Sequence, residues 1–526
     1  MRDFQQGGRS VTISQNGMCA TSHPLAAKVA VNMLEAGGNA VDAGISAAMV
    51  LNICEPQMTG LGGDCFALLR PAPNEKFIGL NASGRAPKGL SAARLRAAGH
   101  SAIPDGSADA VTVPGAVDGF VTLSADHGKL PLAQVLAPAI RYAEEGIPVA
   151  PRVAFDWAIA AGRLQGGARE RYLLGDQAPK AGQVYAAPDQ ARVLRKIADQ
   201  GRAGFYEGEA AEDMVASLQA AGGSHTLEDF AATKCDYVEP ISTVYQGHTL
   251  TELPPNGHGA TALLMANILG HLDLASLGPL SAERAHLEAE AAKLAYDARD
   301  RFIADPSAMQ RLGHMLSDET AAELAALIDP QKALHLPSQR LESVHKETIY
   351  LTVVDKNRMA LSLIYSVFHS FGSGIASDKF GILLQNRGAG FTLAEGHPNE
   401  ALGGKRPMHT IIPGMLEKPG EFLMPFGVMG GQYQPNGHMR FMSNIADYGM
   451  DPQAAISLPR SFANAGELAL ERGYSDETHA QLAALGHNVT TPETAIGGAQ
   501  AIRIDAKTGV LMAGSDPRKD GCALGY

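Results

Sequence analysis

Thr348 and Ser366 are the two hydroxyls of this 526-residue chain whose setting and spacing point to chemistry. Thr348 opens a run dense in β-branched and aromatic residues, Thr348-Ile-Tyr-Leu-Thr-Val-Val-Asp355. A second such run, residues 359–368, follows a polar Lys356-Asn357-Arg358 turn. A hairpin with that loop sets Thr348 opposite Ser366 and Asp355 opposite Met359. Alternation with period two then puts Thr348, Tyr350, Thr352, Ser362 and Ser366 on one face. A Thr at the junction of an exposed polar loop and a buried strand is what an N-terminal nucleophile hydrolase requires. In such an enzyme the chain cuts itself before the Thr, here between Glu347 and Thr348. The freed α-amine, with an ordinary pKa of about 7.7–8.0, becomes the base for the Thr hydroxyl. Ser366 is placed to orient that hydroxyl by a hydrogen bond. Spacing alone leaves the plainer alternative open, a Thr that simply opens a strand.

Acyl transfer also needs preorganised donors for an oxyanion, commonly backbone N–H groups. Gly430-Gly431, after a strand-like run at 422–428, is a paired-glycine turn able to supply them; an ordinary loop is the alternative. Other chemistry finds little support. Thr59-Gly-Leu-Gly-Gly-Asp64 lacks the Lys-Ser/Thr of a phosphate loop and reads as a turn where backbone meets backbone. Gly372-Ser373-Gly374 lacks the wider frame of a nucleophile elbow. There is no HExxH, no CxxC and no calcium-loop spacing, so neither a metal nor an organic cofactor is expected. Among the histidines, His258 and His409 stand out because they lie among glycines or hydroxyl residues.

The elements that must position these residues are partly readable. Residues 35–39 stop one helix and start another, an Ala-rich stretch at 40–54 with Asp42 in its first turn. Residues 282–303 carry Leu287, Ala291, Leu294 and Ala298 at helical spacing among charges, which predicts a long surface helix. Residues 310–327 predict another helical stretch. From 329 to 346 the chain is polar, contains Pro330 and Pro337, and reads as a linker or exposed loop. With 43 Lys+Arg against 55 Asp+Glu, the net charge of −12 opposes a general nucleic-acid partner. No apolar run reaches the roughly 20 residues a membrane span requires. The start lacks the apolar core of a secretory signal, and five scattered cysteines suit free thiols in a reducing compartment. A soluble cytoplasmic protein is expected.

Taken together, the motifs resemble the γ-glutamyltranspeptidase family of N-terminal nucleophile hydrolases. The resemblance rests on ordered blocks: 23–48, EPQMTGLGGDCFALL (55–69), TVPGAVDGFVTL (112–123), ELPPNGHGA (252–260), ETIYLTVVD (347–355), FGSGIAS (371–377), LLQNRGAGF (383–391), RPMHTIIPGM (406–415) and MGGQYQP (429–435). It implies an α+β fold, a four-layer αββα sandwich built from two autocleaved fragments. These would be residues 1–347, with a linker at about 329–347, and residues 348–526, together one catalytic domain. The product would be a heterodimer of its own fragments, with a pair of such heterodimers as a further assembly. By position Thr348 matches the nucleophile, Ser366 the hydroxyl that orients it, and Gly430 and Gly431 the oxyanion glycines.

The departures bear on substrate. The family holds a glutamyl α-carboxylate with an Arg; the matching position is Ser83, with Arg85 two residues later. The stretch that binds the α-amine is Asn386-Arg387-Gly388-Ala389-Gly390, so its Asp has become Gly390 and a cation, Arg387, stands nearby. His409 and Thr410 replace paired serines, and an Asn has become Phe368. Without an acidic partner a substrate ammonium loses its ion pair, at a cost of about 2–5 kcal/mol. An anion without an amine is favoured, held by Arg85 or Arg387 beside His409 and Thr410. These variants are similar to the branch that hydrolyses oxamate, in purine-nitrogen breakdown, and to cephalosporin-acylase-like members. The expected activity is hydrolysis of a small carboxylate-bearing amide, foremost oxamate to oxalate and ammonia. The alternatives are a γ-glutamyl hydrolase or transpeptidase acting on glutathione, a glutaryl- or cephalosporin-type acylase, and an uncleaved non-catalytic scaffold.

Overall fold

Apolar side chains on both faces of the strand that follows Thr348 demand cover on both sides, and four layers supply it. The computed structural model of the chain describes residues 5, 7–334 and 348–526. Its principal strands are β1 (Thr12–Ser14), β2 (Met18–Thr21), β3 (Asp64–Arg70), β4 (Ile78–Ala82), β5 (Asp236–Val238), β6 (Ile241–Tyr245), β7 (His248–Glu252), β8 (Ile349–Val354), β9 (Ala360–Ser366), β10 (Gly414–Lys418), β11 (Phe422–Met429), β12 (Gly498–Asp505), β13 (Leu511–Ser515) and β14 (Cys522–Gly525). One antiparallel sheet has the order β14-β2-β8-β9-β3-β4-β5, the other β1-β13-β12-β11-β10-β7-β6. Helices α1 (Pro24–Glu35) and α2 (Ala40–Cys54) cover the first sheet. Helices α3 (Gly259–Gly270), α4 (Ala282–Phe302) and α5 (Gln434–Ala446) form the layer outside the second. This is the helix–sheet–sheet–helix sandwich that the resemblance implies.

The alternation of β8 sorts its residues between two cores. Ile349, Leu351 and Val353 pack with α2, whereas Tyr350 and Val354 lie between the sheets with Phe66, Ile364, Met415 and Met429. A Cβ on Gly427 would lie 2.3 Å from the Tyr350 ring, so glycine is what lets β11 approach β8. β8 and β9 pair in the expected register, with Ile349 opposite Tyr365 and Thr352 opposite Ser362. Asp355 closes their turn: its Oδ1 accepts Asn357 N–H at 2.8 Å and Met359 N–H at 3.1 Å, and Arg358 takes a left-handed φ of 68°. Asp355 Oδ2 also accepts Ala40 N–H at 3.2 Å, tying the hairpin to the start of α2. Asn39 and Asp42 form a reciprocal capping box there, which realises the stop and restart read from the sequence.

Two expectations need correction. The helix at 282–303 is not a surface helix; Arg284, Glu288 and Glu290 on α4 are buried. Charge content misleads here because the charges satisfy one another inside the layer. Glu288 bridges Arg284 Nε at 2.8 Å and Arg440 of α5, while Arg284 Nη2 donates to Asn444 Oδ1 at 2.8 Å. Residues 310–327 form two short helices, Leu312–Met315 and Asp318–Ala325, because Ser317 caps the second by accepting from Thr320 N–H. Of the expected linker, residues 335–347, including Glu347, lie outside the described residues. No helix among the described residues is long and apolar enough to cross a membrane.

Glu288→Gln removes the shared anion from two buried guanidinium groups, so it should destabilise the protein by about 3–5 kcal/mol. Urea unfolding checks this against Glu283→Gln, an exposed change on the same helix, which should move stability by no more than about 0.5 kcal/mol.

Candidate active site

Thr348 stands at the entrance of β8, in the middle of its sheet, and is buried along with Ser366. Its Oγ1 donates to Ser366 Oγ at 3.4 Å, long for a hydroxyl pair. Ser366 Oγ also accepts Phe368 N–H at 2.9 Å and faces Arg387 Nη2 at 3.5 Å. Arg387 Nη1 donates to Thr410 Oγ1 at 2.7 Å, and the guanidinium lies 4.0 Å above the Phe368 ring. Phe368 adopts a left-handed φ of 79°, a strained state for an aromatic residue. The strain is held by its own N–H on Ser366 and by the next N–H, His369, which donates to Asn386 Oδ1 at 3.1 Å. The bend leaves the aromatic face under the Arg387 cation.

The nearest anion is already engaged. Asp64 opens β3 directly opposite Ser366. Its Oδ1 accepts Gly84 N–H, Gly115 N–H and Gln385 Nε2 at 2.9, 3.0 and 2.8 Å, and its Oδ2 meets His409 Nε2 at 3.1 Å. His409 Nδ1 accepts Ile411 N–H, so Nε2 carries the proton given to Asp64. Burial first, and then the Arg387 cation, push His409 down to about 3 against the pull of Asp64. It is neutral at physiological pH. Arg387 is fully buried, and no carboxylate among the described residues forms an ion pair with it. Among the described residues its Nε has no hydrogen-bond partner. Burial pushes its pKa down to about 9, with Asp64 opposing, so it remains charged at neutral pH.

The paired glycines follow β11, with φ of 132° at Gly430 and 54° at Gly431. Tyr350 lies against Gly427, and Ser362, opposite Thr352, donates to Phe426 O at 3.2 Å. β8 and β11 thus cross in opposing senses, so the Met429 end of β11 runs toward the Thr348 end of β8. Tyr296 and Arg299 of α4 fix Gln432, the next residue.

Of the two candidate arginines, Arg387 bonds Ser366 and Arg85 does not. Arg85 is half-exposed and ion-paired with Asp305 at 3.4 Å and Asp236 at 3.6 Å. His258 supports the site from behind, its backbone N–H donating to His409 O at 3.0 Å. Asp64 was missed as a site residue in the sequence. Its signal was the preceding Gly62-Gly63: a Cβ on Gly63 would lie 2.5 Å from Ser366 O, so the glycines press that turn onto the end of β9.

The sequence profile described as Gamma-glutamyltranspeptidase matches residues 26–526. The chain belongs to the γ-glutamyltranspeptidase family. Among relatives of this family, the glutathione hydrolase-like YwrD proenzyme of Bacillus subtilis (strain 168) is 35% identical, over 98% of this chain and 99% of its own. The oxamate amidohydrolase proenzyme of Klebsiella pneumoniae subsp. pneumoniae is 34% identical, over 98% of this chain and 100% of its own. The crystal structure of cephalosporin acylase from Bacillus halodurans superposes with a TM-score of 0.92 at 38% identity, covering 100% of this chain and 99% of that one. γ-Glutamyltranspeptidase-family membership makes the protein a hydrolase acting on amide C–N bonds, of a kind made as a proenzyme.

The buried neutral His409 has a consequence for acid stability. The unfolded chain takes up this proton near pH 6.5, whereas the folded chain refuses it until about 3, so stability falls as pH drops through that window. His409→Gln should therefore lose less stability between pH 7 and pH 4.5 than the parent, by about 2–3 kcal/mol. Urea unfolding of both proteins at the two pH values measures the difference.

Proposed function

We propose that the protein is a self-processing amidase for a short acyl anion, foremost oxamate, which it hydrolyses to oxalate and ammonia. The observation that carries this reading is Arg387: a guanidinium sealed from water, with no carboxylate ion-paired to it among the described residues, one hydroxyl away from Thr348. An unpaired buried cation is costly, and a substrate carboxylate would compensate it through a bidentate fork. The reach favours a short acyl group. Arg387 Nη2 and Thr348 Oγ1 lie 3.5 and 3.4 Å from the same Ser366 Oγ. A carboxylate attached directly to the amide carbon keeps its oxygens about 2.4 Å from the attacked atom, and each added methylene lengthens the span by roughly 1.3 Å.

The same pocket disfavours a γ-glutamyl ammonium. Asp64 is spent on backbone N–H groups and His409, and a Cβ on Gly390 would meet Met408 O at 2.8 Å, leaving no room for an Asp there. In the proposed reaction the chain is first cut between Glu347 and Thr348, giving fragments 1–347 and 348–526. The new α-amine accepts the Thr348 hydroxyl proton as Oγ attacks the amide carbon, and the Gly430 and Gly431 N–H groups receive the oxyanion. Collapse breaks the C–N bond; the ammonium returns the proton to the departing nitrogen and ammonia leaves. Water then hydrolyses the ester by the same proton route, releasing oxalate. Five free cysteines suit a reducing, cytoplasmic setting.

Saturable ammonia release from oxamate by the purified protein tests the substrate, with a γ-glutamyl anilide expected to be a poor substrate. If the cleaved protein releases none, the short-anion reading fails. Thr348→Ala should remain one uncut chain by intact mass and release no ammonia; splitting in that variant overturns the nucleophile assignment. Arg387→Lys should still be cut, but its kcat/KM for oxamate should fall by about 10²–10³, mostly in KM, because an ammonium does not reproduce the fork.

A further inference from the structure

Away from Thr348, two imidazoles and a carboxylate converge in the interior beside the arm that leads to the cut. His286 and Glu290 are one turn apart on the same face of α4. His487 reaches them from the turn between the helix Asp476–Ala484 and the strand Val489–Thr490. All three are buried, and their ligand atoms lie within 4.8 Å of one another. His286 Nδ1 is 2.8 Å from His487 Nε2, which is 3.9 Å from Glu290 Oε1.

The outer atoms of this group are already fixed. His286 Nε2 sits 2.8 Å from Asp329 O, and a carbonyl only accepts, so the proton is on Nε2 and the Nδ1 lone pair points inward. A backbone carbonyl that fixes the tautomer is the usual support of a metal-bound histidine. Glu290 Oε2 accepts Leu334 N–H at 2.7 Å, which leaves Oε1 to face the cluster. Lys293 Nζ, 2.6 Å from Oε1, holds the place a cation would take, and also donates to Leu334 O at 3.0 Å.

We propose that His286, Glu290 and His487 form a structural site for a transition metal of the Zn²⁺ class. Two nitrogens and one oxygen suit Zn²⁺ better than Ca²⁺ or Mg²⁺, which want oxygen throughout. Binding requires the His487 proton, now on Nε2 and shared with His286 Nδ1, to move to its own Nδ1. The two nitrogens must part from 2.8 Å to about 3.3 Å, the spacing of tetrahedral ligands, and Lys293 must yield its place, with water as fourth ligand. The metal would sit where Asp329 O, Leu334 N–H and Ala333 N–H, which donates to Leu485 O at 2.8 Å, hold the arm. His286 and Glu290 precede Thr348 and His487 follows it, so the ion would join the two fragments. That last role rests on the proposed cut; metal binding itself does not.

The test uses untagged protein stripped with EDTA, titrated with Co²⁺ as the probe and then with Zn²⁺. We expect one equivalent of Co²⁺ with four-coordinate visible absorption, displaced by Zn²⁺, and a thermal midpoint raised by a few degrees with Zn²⁺ but not Mg²⁺. The uncut Thr348→Ala protein should bind equally, which separates metal binding from cleavage. His487→Gln and Glu290→Gln should each weaken binding at least about 100-fold. Absence of the Co²⁺ spectrum in the parent protein overturns the proposal without recourse to a variant. So does a midpoint shift that persists unchanged in both variants.

Discussion

The antiparallel pairing of β8 with β9 is the constraint from which the rest of the site follows. It places the entrance of one central strand beside the exit of its neighbour, so two hydroxyls eighteen residues apart share a single hydrogen bond. Each wall of the sandwich closes onto this pair. α2 packs on the odd side chains of β8, and β11 packs on the even ones, close enough that Gly427 has no room for a side chain. Asp355 then fastens the far end of the hairpin to the α2 N-terminus. The nucleophile candidate is therefore held at both ends of its strand, which suits chemistry that needs a fixed attack direction.

Electrostatics around this pair are lopsided. Asp64 has three N–H donors and a neutral histidine, so its charge is dispersed into backbone dipoles and walls. Arg387 has two hydroxyls and an aromatic face, none of which cancels a full charge. Neutral His409 matters because a protonated ring there would set a second cation beside the first. The interior thus contains an anchored anion with a structural task and, among the described residues, a cation with no anion paired to it.

Much of this was legible in the sequence, for identifiable reasons. A polar three-residue turn between two β-branched runs fixes a register, and the expected facing of Thr348 and Ser366 is the observed one. The helix at Ala40–Cys54 announced itself through Asn39 and Asp42, a local device. What could not be read was pairing over long distance. Nothing near residue 284 says that Arg440, some 150 residues on, will meet Glu288, so α4 looked solvated. Nothing near Arg85 says that Asp236 and Asp305 will claim it. His286, Glu290 and His487 escape motif reading for the same reason, since one of the three lies two hundred residues from the others.

The backbone around residues 387–390 also sets what a descendant of this protein can become. Gly388 abuts Ala110 O and Gly390 abuts Met408 O, each so close that an added Cβ would sit 2.8 Å from the carbonyl. A carboxylate at position 390 therefore cannot arrive by itself; the segment carrying Met408 to Thr410 has to retreat with it, and Thr410 holds Arg387. Position 390 and the Arg387 guanidinium are thus mechanically coupled through the backbone at 408–410. A side chain added at 390 therefore disturbs two positions at once, because the backbone that must give way carries the Thr410 hydroxyl that holds Arg387.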